Sequence, residues 1–363
     1  MTGEPVKKSS KNGTIEVLRF FFAICIVGVH LNGVSDLGYF KFGHYGVEFF
    51  FIVTGLLMAQ SIERHLSDMQ GDYAKSAFDM VLKKVKRIYP YVIYVTIVVI
   101  AFYALRYREY NPLDAVMDAV NLLPYMFFAN MAGMGADTPM YLGIMWYLSA
   151  MFLGMLILAP IYIRFNSYAK RILFPLMGVF ILGFMNLTVH TITLTTEAPW
   201  GLPMGMLRAI GEMAIGAVCY SVAMWLRRHY DLTILGKVVI LLAEILCFVL
   251  LVIYINGDRF YDSSSTVFFL FAVLVTLVYS DITWNIECGK VASFLGNISL
   301  PLYLTHMIII LSFPLWFGGG WFYGREPEAF VIIIAFAVVS YLIVEYLFPR
   351  LKPARKLFVK GPE

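Results

Sequence analysis

Two side chains inside the first apolar stretch, Arg19 and His30, are of types that hydrocarbon admits only at high cost, which makes them functional-site candidates from the outset. Eleven residues at about 100° each bring both to the same face of a helix, some 16 Å apart along its axis. A histidine is the side chain whose ordinary pKa suits proton transfer near neutrality, and a buried arginine is a rigid clamp for an anion. Together they fit transfer of a group from an anionic carrier. The plainer reading is that Arg19 snorkels to head groups and His30 is a buried imidazole bonded to a carbonyl.

Further polar residues occupy similar surroundings. Glu48 sits at a depth like that of His30 in the next apolar stretch and is expected either to orient His30 or to reach interfacial water. The run KKVKRIYPY holds Lys83, Lys84, Lys86 and Arg87, which suits a topology signal facing anionic lipid or a dock for a polyanion. Arg208 and Glu212, four apart, are spaced to pair with each other. Glu244 has no obvious partner, and His306 is either a core hydrogen-bonding group or a second member of a site. Trp146 and Tyr147 suit an interfacial belt or a platform on which a sugar stacks.

The elements that must position these residues follow from composition. The chain has 363 residues, 60% apolar and 14% charged, against about 25% charged in an ordinary globular chain. That is the profile of an all-α, polytopic membrane protein. Cys25, Cys219 and Cys247 lie in apolar runs and Cys288 stands alone, which excludes a disulfide scaffold and gives no metal spacing. A net charge of +4 is too small for a nucleic-acid partner.

A membrane core of about 30 Å needs about 20 apolar residues per helix. Ten stretches qualify: 14–34, 44–63, 89–106, 143–164, 171–189, 205–226, 235–256, 263–280, 297–317 and 328–348. The segment 113–132 carries Asp114, Asp118 and Pro124 and reads as a re-entrant or interfacial helix. Only six basic residues, Lys41, Arg106, Arg108, Arg208, Arg259 and Arg325, fall on or near one side, so both termini are expected in the cytoplasm. The organisation is then a disordered tail at 1–13, a membrane domain at 14–348 and a basic tail at 349–363. No repeat or inverted symmetry is visible. Lysines precede the first stretch as in a signal peptide, but Arg19 interrupts its start and no small-residue cleavage site follows, so it reads as an uncleaved span.

Taken in order, LRFFFAICIVGVH, HYGVEFFFIVTGLLM, KKVKRIYPY, MWYLSAMFLG and SLPLYLTH resemble the membrane-bound acyltransferase-3 family, over about residues 14 to 348. The resemblance implies transfer of an acyl group, usually acetyl, from cytoplasmic acyl-CoA to a glycan or glycolipid hydroxyl beyond the membrane of a bacterial cell. It implies that Arg19 and His30 are essential, with His30 as general base or transient acyl carrier. Glu48 matches an acidic position of the family, and Lys84 and Arg87 match a basic pair that grips CoA phosphates, with Lys83 beside them. Lysine at 84 replaces the commoner arginine, which keeps the charge and loses the two-pronged fork. Trp146, Ser149 and His306 match recurrent positions of the family and are candidates either to touch the substrates or to support the residues that do. The implied co-substrate is acyl-CoA, with no permanently bound cofactor and no metal; the implied partners are the acceptor glycan and membrane lipid. An extra extracellular hydrolase-like domain that family members often carry is not expected. The competing class is a transporter or a flippase for a lipid-linked glycan, from which consumption of acyl-CoA would distinguish this chain. A non-catalytic assembly factor fits the number of buried ionisable groups poorly.

Overall fold

The computed structural model describes residues 11–69, 71–106, 111–134, 143–193, 201, 203–257, 264–280, 282–283 and 289–350. The expected N-terminal tail at 1–13 and basic tail at 349–363 lie largely outside these residues. Among the described residues there is no β-strand, and ten principal helices carry the chain. They are α1 (Gly13–Asn32), α2 (Gly46–Arg64), α3 (Tyr73–Arg106), α4 (Trp146–Arg164) and α5 (Phe174–Val189), followed by α6 (Met204–His229), α7 (Ile234–Asn256), α8 (Ser264–Ser280), α9 (Lys290–Phe317) and α10 (Glu326–Leu342). Nine of these regions are long and apolar enough to cross a membrane. The exception is α8, whose 17 residues rise about 26 Å, a little short of the hydrocarbon thickness.

Local sequence explains several boundaries. Asn12 caps α1 by accepting from the Ile15 amide. The third helix starts at Tyr73, far before the expected 89, because lysines and arginine at exposed positions extend a helix freely and Pro90 is accommodated within it. The cluster from Lys83 to Arg87 therefore belongs to the spanning helix itself. Similarly α9 starts at Lys290 and passes through Pro301 and Pro314. The segment 113–132 breaks into Pro112–Asn121, Leu123–Met126 and a short turn of helix at Asn130–Ala132, none long enough to span. It packs against α3 and α4, as an interfacial element would.

The bundle is organised around α6, which packs against α2, α4, α5 and α8, while α1 lies along α9 and α9 against α10. At the α2–α6 crossing the backbones touch. A side chain at Gly55 would run into the Met213 carbonyl, and one at Gly216 into the Ile52 carbonyl. Membrane helices approach this closely only through small residues. Outward, Leu187, Phe180, Ile245 and Val331 are exposed apolar residues that lipid tails would cover.

Candidate functional site

Because α1 and α9 run side by side, Lys11 reaches Asn297 at one end and the His30 and His306 rings meet near the other. The first is the basic end of the bundle. A cavity of about 360 Å³ opens there, lined by Arg19 of α1, Lys84, Arg87 and Tyr91 of α3, and Asn297 of α9, with Glu345 beyond α10. Arg19 donates to both carboxylate oxygens of Glu16, at 3.2 and 3.3 Å. Glu16 is buried where α9 presents Gly296, a position at which any side chain would occupy the place of that carboxylate. Tyr91 donates to Glu345 at 2.7 Å. Lys83, one residue from Lys84, points to the exposed side and does not line the cavity.

The inner wall of the cavity is made by Tyr147 and Tyr303, whose rings are 5.6 Å apart. Tyr303 is held by donation to the Ile144 carbonyl at 2.6 Å. Behind it stands His306, ring to ring at 6.0 Å, and then His30 at 5.2 Å from His306. The Nδ1 of His306 faces the carbonyls of Tyr303 and Leu302, at 2.7 and 3.2 Å. A carbonyl only accepts, so Nδ1 carries the proton and Nε2 keeps a free lone pair. That Nε2 is buried and without a hydrogen-bond partner among the described residues. His306 is thus more than a core residue bonded to its own helix: its free nitrogen lies on the side chain that neighbours His30.

Glu48 corrects the expectation that it orients His30. It forms an ion pair with Arg208 of α6, which also donates to Glu212 at 3.1 Å. All three side chains are almost wholly buried. The reason is azimuth: Gly46 and Phe49 in the first turn of α2 face Phe22 of α1, while Glu48 between them points to α6. The pairing of Arg208 with Glu212 is as the spacing suggests. Arg208 also lies 5.7 Å from the Trp146 ring, which places Trp146 beside the ion cluster. Ser149 anchors the broken segment: its hydroxyl donates to the Phe128 carbonyl and accepts from the Met131 amide. Glu244 accepts from Thr283, a partner invisible in sequence because it comes from beyond α8.

Of the residues singled out, the fold brings Arg19, Lys84 and Arg87 together at the basic end, and His30 with His306 deeper in. Glu48 and Trp146 join a separate cluster around Arg208. Sequence reasoning missed Glu16 and Tyr303, though a carboxylate three residues before a buried arginine is a signal for the first.

A helical bundle long and apolar enough to span a membrane, with a cation-lined cavity whose tyrosine wall is backed by paired histidines, is the frame of a multi-pass membrane enzyme. A family model described as acyltransferase domain, of the acyltransferase-3 type, matches residues 12–347, so the chain belongs to that family and is a membrane acyltransferase. No curated protein and no solved structure matches it.

Proposed function

We propose that the protein transfers an acetyl group from acetyl-CoA, taken from the cytoplasm of a bacterial cell, to a hydroxyl of a glycan or glycolipid on the outer side of the inner membrane. The observation that carries this reading is the line from Arg19, Lys84 and Arg87, through the Tyr147 and Tyr303 wall, to His306 and His30. Three cations at one mouth suit the phosphates of CoA, and a narrow aromatic passage suits a thin pantetheine arm with a small acyl group. Lys83 contributes only to the surrounding positive field. The donor acts as a co-substrate, and the basic end faces the cytoplasm with both termini.

In this mechanism an imidazole nitrogen of His30 accepts the proton of the acceptor hydroxyl. The hydroxyl oxygen attacks the thioester carbonyl carbon, the C–S bond breaks, and the imidazolium returns the proton to the departing CoA thiolate. His306, with Nδ1 held by backbone carbonyls, packs its ring 5.2 Å from that of His30 and leaves Nε2 free to accept a hydrogen bond from a substrate or from His30. Glu48 supports the site from a distance through the Arg208 cluster, while Trp146 and Ser149 hold the neighbouring wall.

The test is purified protein in nanodiscs with radiolabelled acetyl-CoA and an added glycan, read as CoA thiol release and label on glycan or protein. His30→Ala is expected to lower turnover by two to four orders of magnitude at unchanged membrane abundance. Retained turnover at normal abundance would remove His30 from catalysis. Label trapped on the protein would replace direct attack with an acyl-histidine step. Failure of acetyl-CoA and other acyl donors to bind would return the flippase reading.

A further inference from the structure

A second cleft, of about 400 Å³, lies at the basic end on a different flank of the bundle. Its floor holds Lys170 and Arg171 just before α5 and Arg228 in the last turn of α6, with Glu63 at the end of α2. Glu63 is already engaged: it accepts from Tyr162 at 3.1 Å, Asn166 at 2.8 Å and Lys170 at 3.1 Å. Among the described residues, Arg171 and Arg228 have neither a hydrogen bond nor an ion pair, and both are exposed. Two uncommitted guanidinium groups thus converge on a concavity whose one carboxylate is occupied.

Backbone geometry adds a second observation. Ala169–Leu173 is a π-helical turn, which widens the helix and sets Lys170 and Arg171 at the cleft. One other π turn is described, Ile343–Leu347, and it holds Glu345 at the wall of the first cavity. Such turns cost hydrogen-bond geometry and collect at functional sites. Val218, Val222, Met224 and Trp225 of α6 give the cleft an apolar side, and Ile172 in the π turn with Leu176 and Phe180 on α5 are exposed apolar residues next along the chain from Arg171. Trp225 stacks on His229, whose ring is fixed by the Trp225 carbonyl. An aromatic ring at that level is an interfacial anchor.

We infer that this cleft binds the phosphate head group of an anionic glycerophospholipid, with Arg171 and Arg228 on the phosphate and the acyl chains against Val222, Trp225 and the exposed face of α5. The chemistry selects the occupant. A free phosphate would use the floor and leave the apolar track empty, whereas a zwitterionic lipid would bring a cation to a floor that already has a surplus of them. The site is independent of the acyl donor and does not share a residue with the first cavity.

The full chain is exchanged into nanodiscs of equal phosphatidylglycerol and phosphatidylcholine, and the lipids it retains are counted by native mass spectrometry. Removing a cation near a membrane surface weakens attraction about fivefold, so Arg171→Ala with Arg228→Ala is expected to lower phosphatidylglycerol retention by roughly 25-fold. Lys170 is left in place because its bond to Glu63 ties α2 to α5. Lys237→Ala with Lys290→Ala removes the same charge at exposed positions on the same end and is expected to leave retention unchanged. Phosphatidylglycerol brominated on its acyl chains is expected to quench Trp225, read as the difference from Trp225→Phe, more than brominated phosphatidylcholine does. The inference is overturned if the arginine variant keeps its phosphatidylglycerol, if the two lipids are retained equally, or if millimolar inorganic phosphate displaces the lipid.

Discussion

Arg208→Met would remove the cation that faces both Glu48 and Glu212 while keeping most of the side-chain volume. The pair partners are 2% and 0% exposed, so the carboxylates left behind have no water to turn to. Stranding one partner of a buried pair costs about 3–5 kcal/mol, and loss of the cation over Trp146 adds about 1 kcal/mol. The expected destabilisation is therefore about 4–6 kcal/mol. Glu212→Gln leaves Arg208 paired with Glu48 and keeps an acceptor at 212, so it is expected to cost about 1 kcal/mol. The triple variant Glu48→Gln, Arg208→Met, Glu212→Gln removes every charge and should recover most of the loss, to within about 2 kcal/mol of the parent. The assay is reversible unfolding in mixed micelles followed by tryptophan fluorescence, with membrane abundance as the cellular counterpart. Arg208→Met within about 1 kcal/mol of the parent, or a triple variant no better than the single one, would refute the description of this cluster as a structural core held by its buried arginine.

Three other changes probe separate parts of the site. Ser149→Ala deletes a hydroxyl that holds Phe128 and Met131; it is expected to cost about 1–3 kcal/mol and to speed proteolysis of the 123–132 segment, seen as limited digestion in nanodiscs. Gly296→Ala displaces the Glu16 carboxylate and frees Arg19. The new Cβ would also meet the Glu16 Cβ, which is fixed to α1, so the two helices must part and stability is expected to fall together with turnover; an unchanged unfolding midpoint would contradict this close α1–α9 approach. Lys84→Ala is expected to raise the KM for acetyl-CoA by roughly fivefold with little change in kcat, a loss of about 1 kcal/mol of phosphate attraction, and the effect should shrink in high salt. An unchanged KM would place the donor elsewhere.

Much of the architecture was legible because hydrocarbon imposes a length on each helix, and every one of the ten expected stretches overlaps an observed helix. The helix ends were less so. The charge before 89 marks the end of the apolar run, yet α3 continues through Lys83–Arg87 to Tyr73, since charged residues end a hydrophobic run without ending a helix. The shared face of Arg19 and His30 follows from helical periodicity alone, and the structure adds that one lies at the cavity and the other beside His306. Glu48 shows the limit of such reasoning. Its depth matched His30, but depth does not fix azimuth, and its partner Arg208 lies in a helix brought close by Gly55 and Gly216. Lys83 and Lys84 illustrate the same point, since one residue turns a side chain by about 100° and separates an exposed lysine from a cavity wall.

The wall formed by Tyr147 and Tyr303 also bears on the energetics of the whole membrane. A cavity with cations at its mouth is an invitation to small anions, and any continuous water column from it to the far side would dissipate the proton gradient. Two packed rings, one of them pinned to the Ile144 carbonyl, close the inner end of that cavity, and in the proposed reaction only the acyl group has to pass them. On that proposed reaction the carrier stays on one side of the barrier, and a local shift of two rings takes the place of the alternating motions by which transporters keep their gates from opening together.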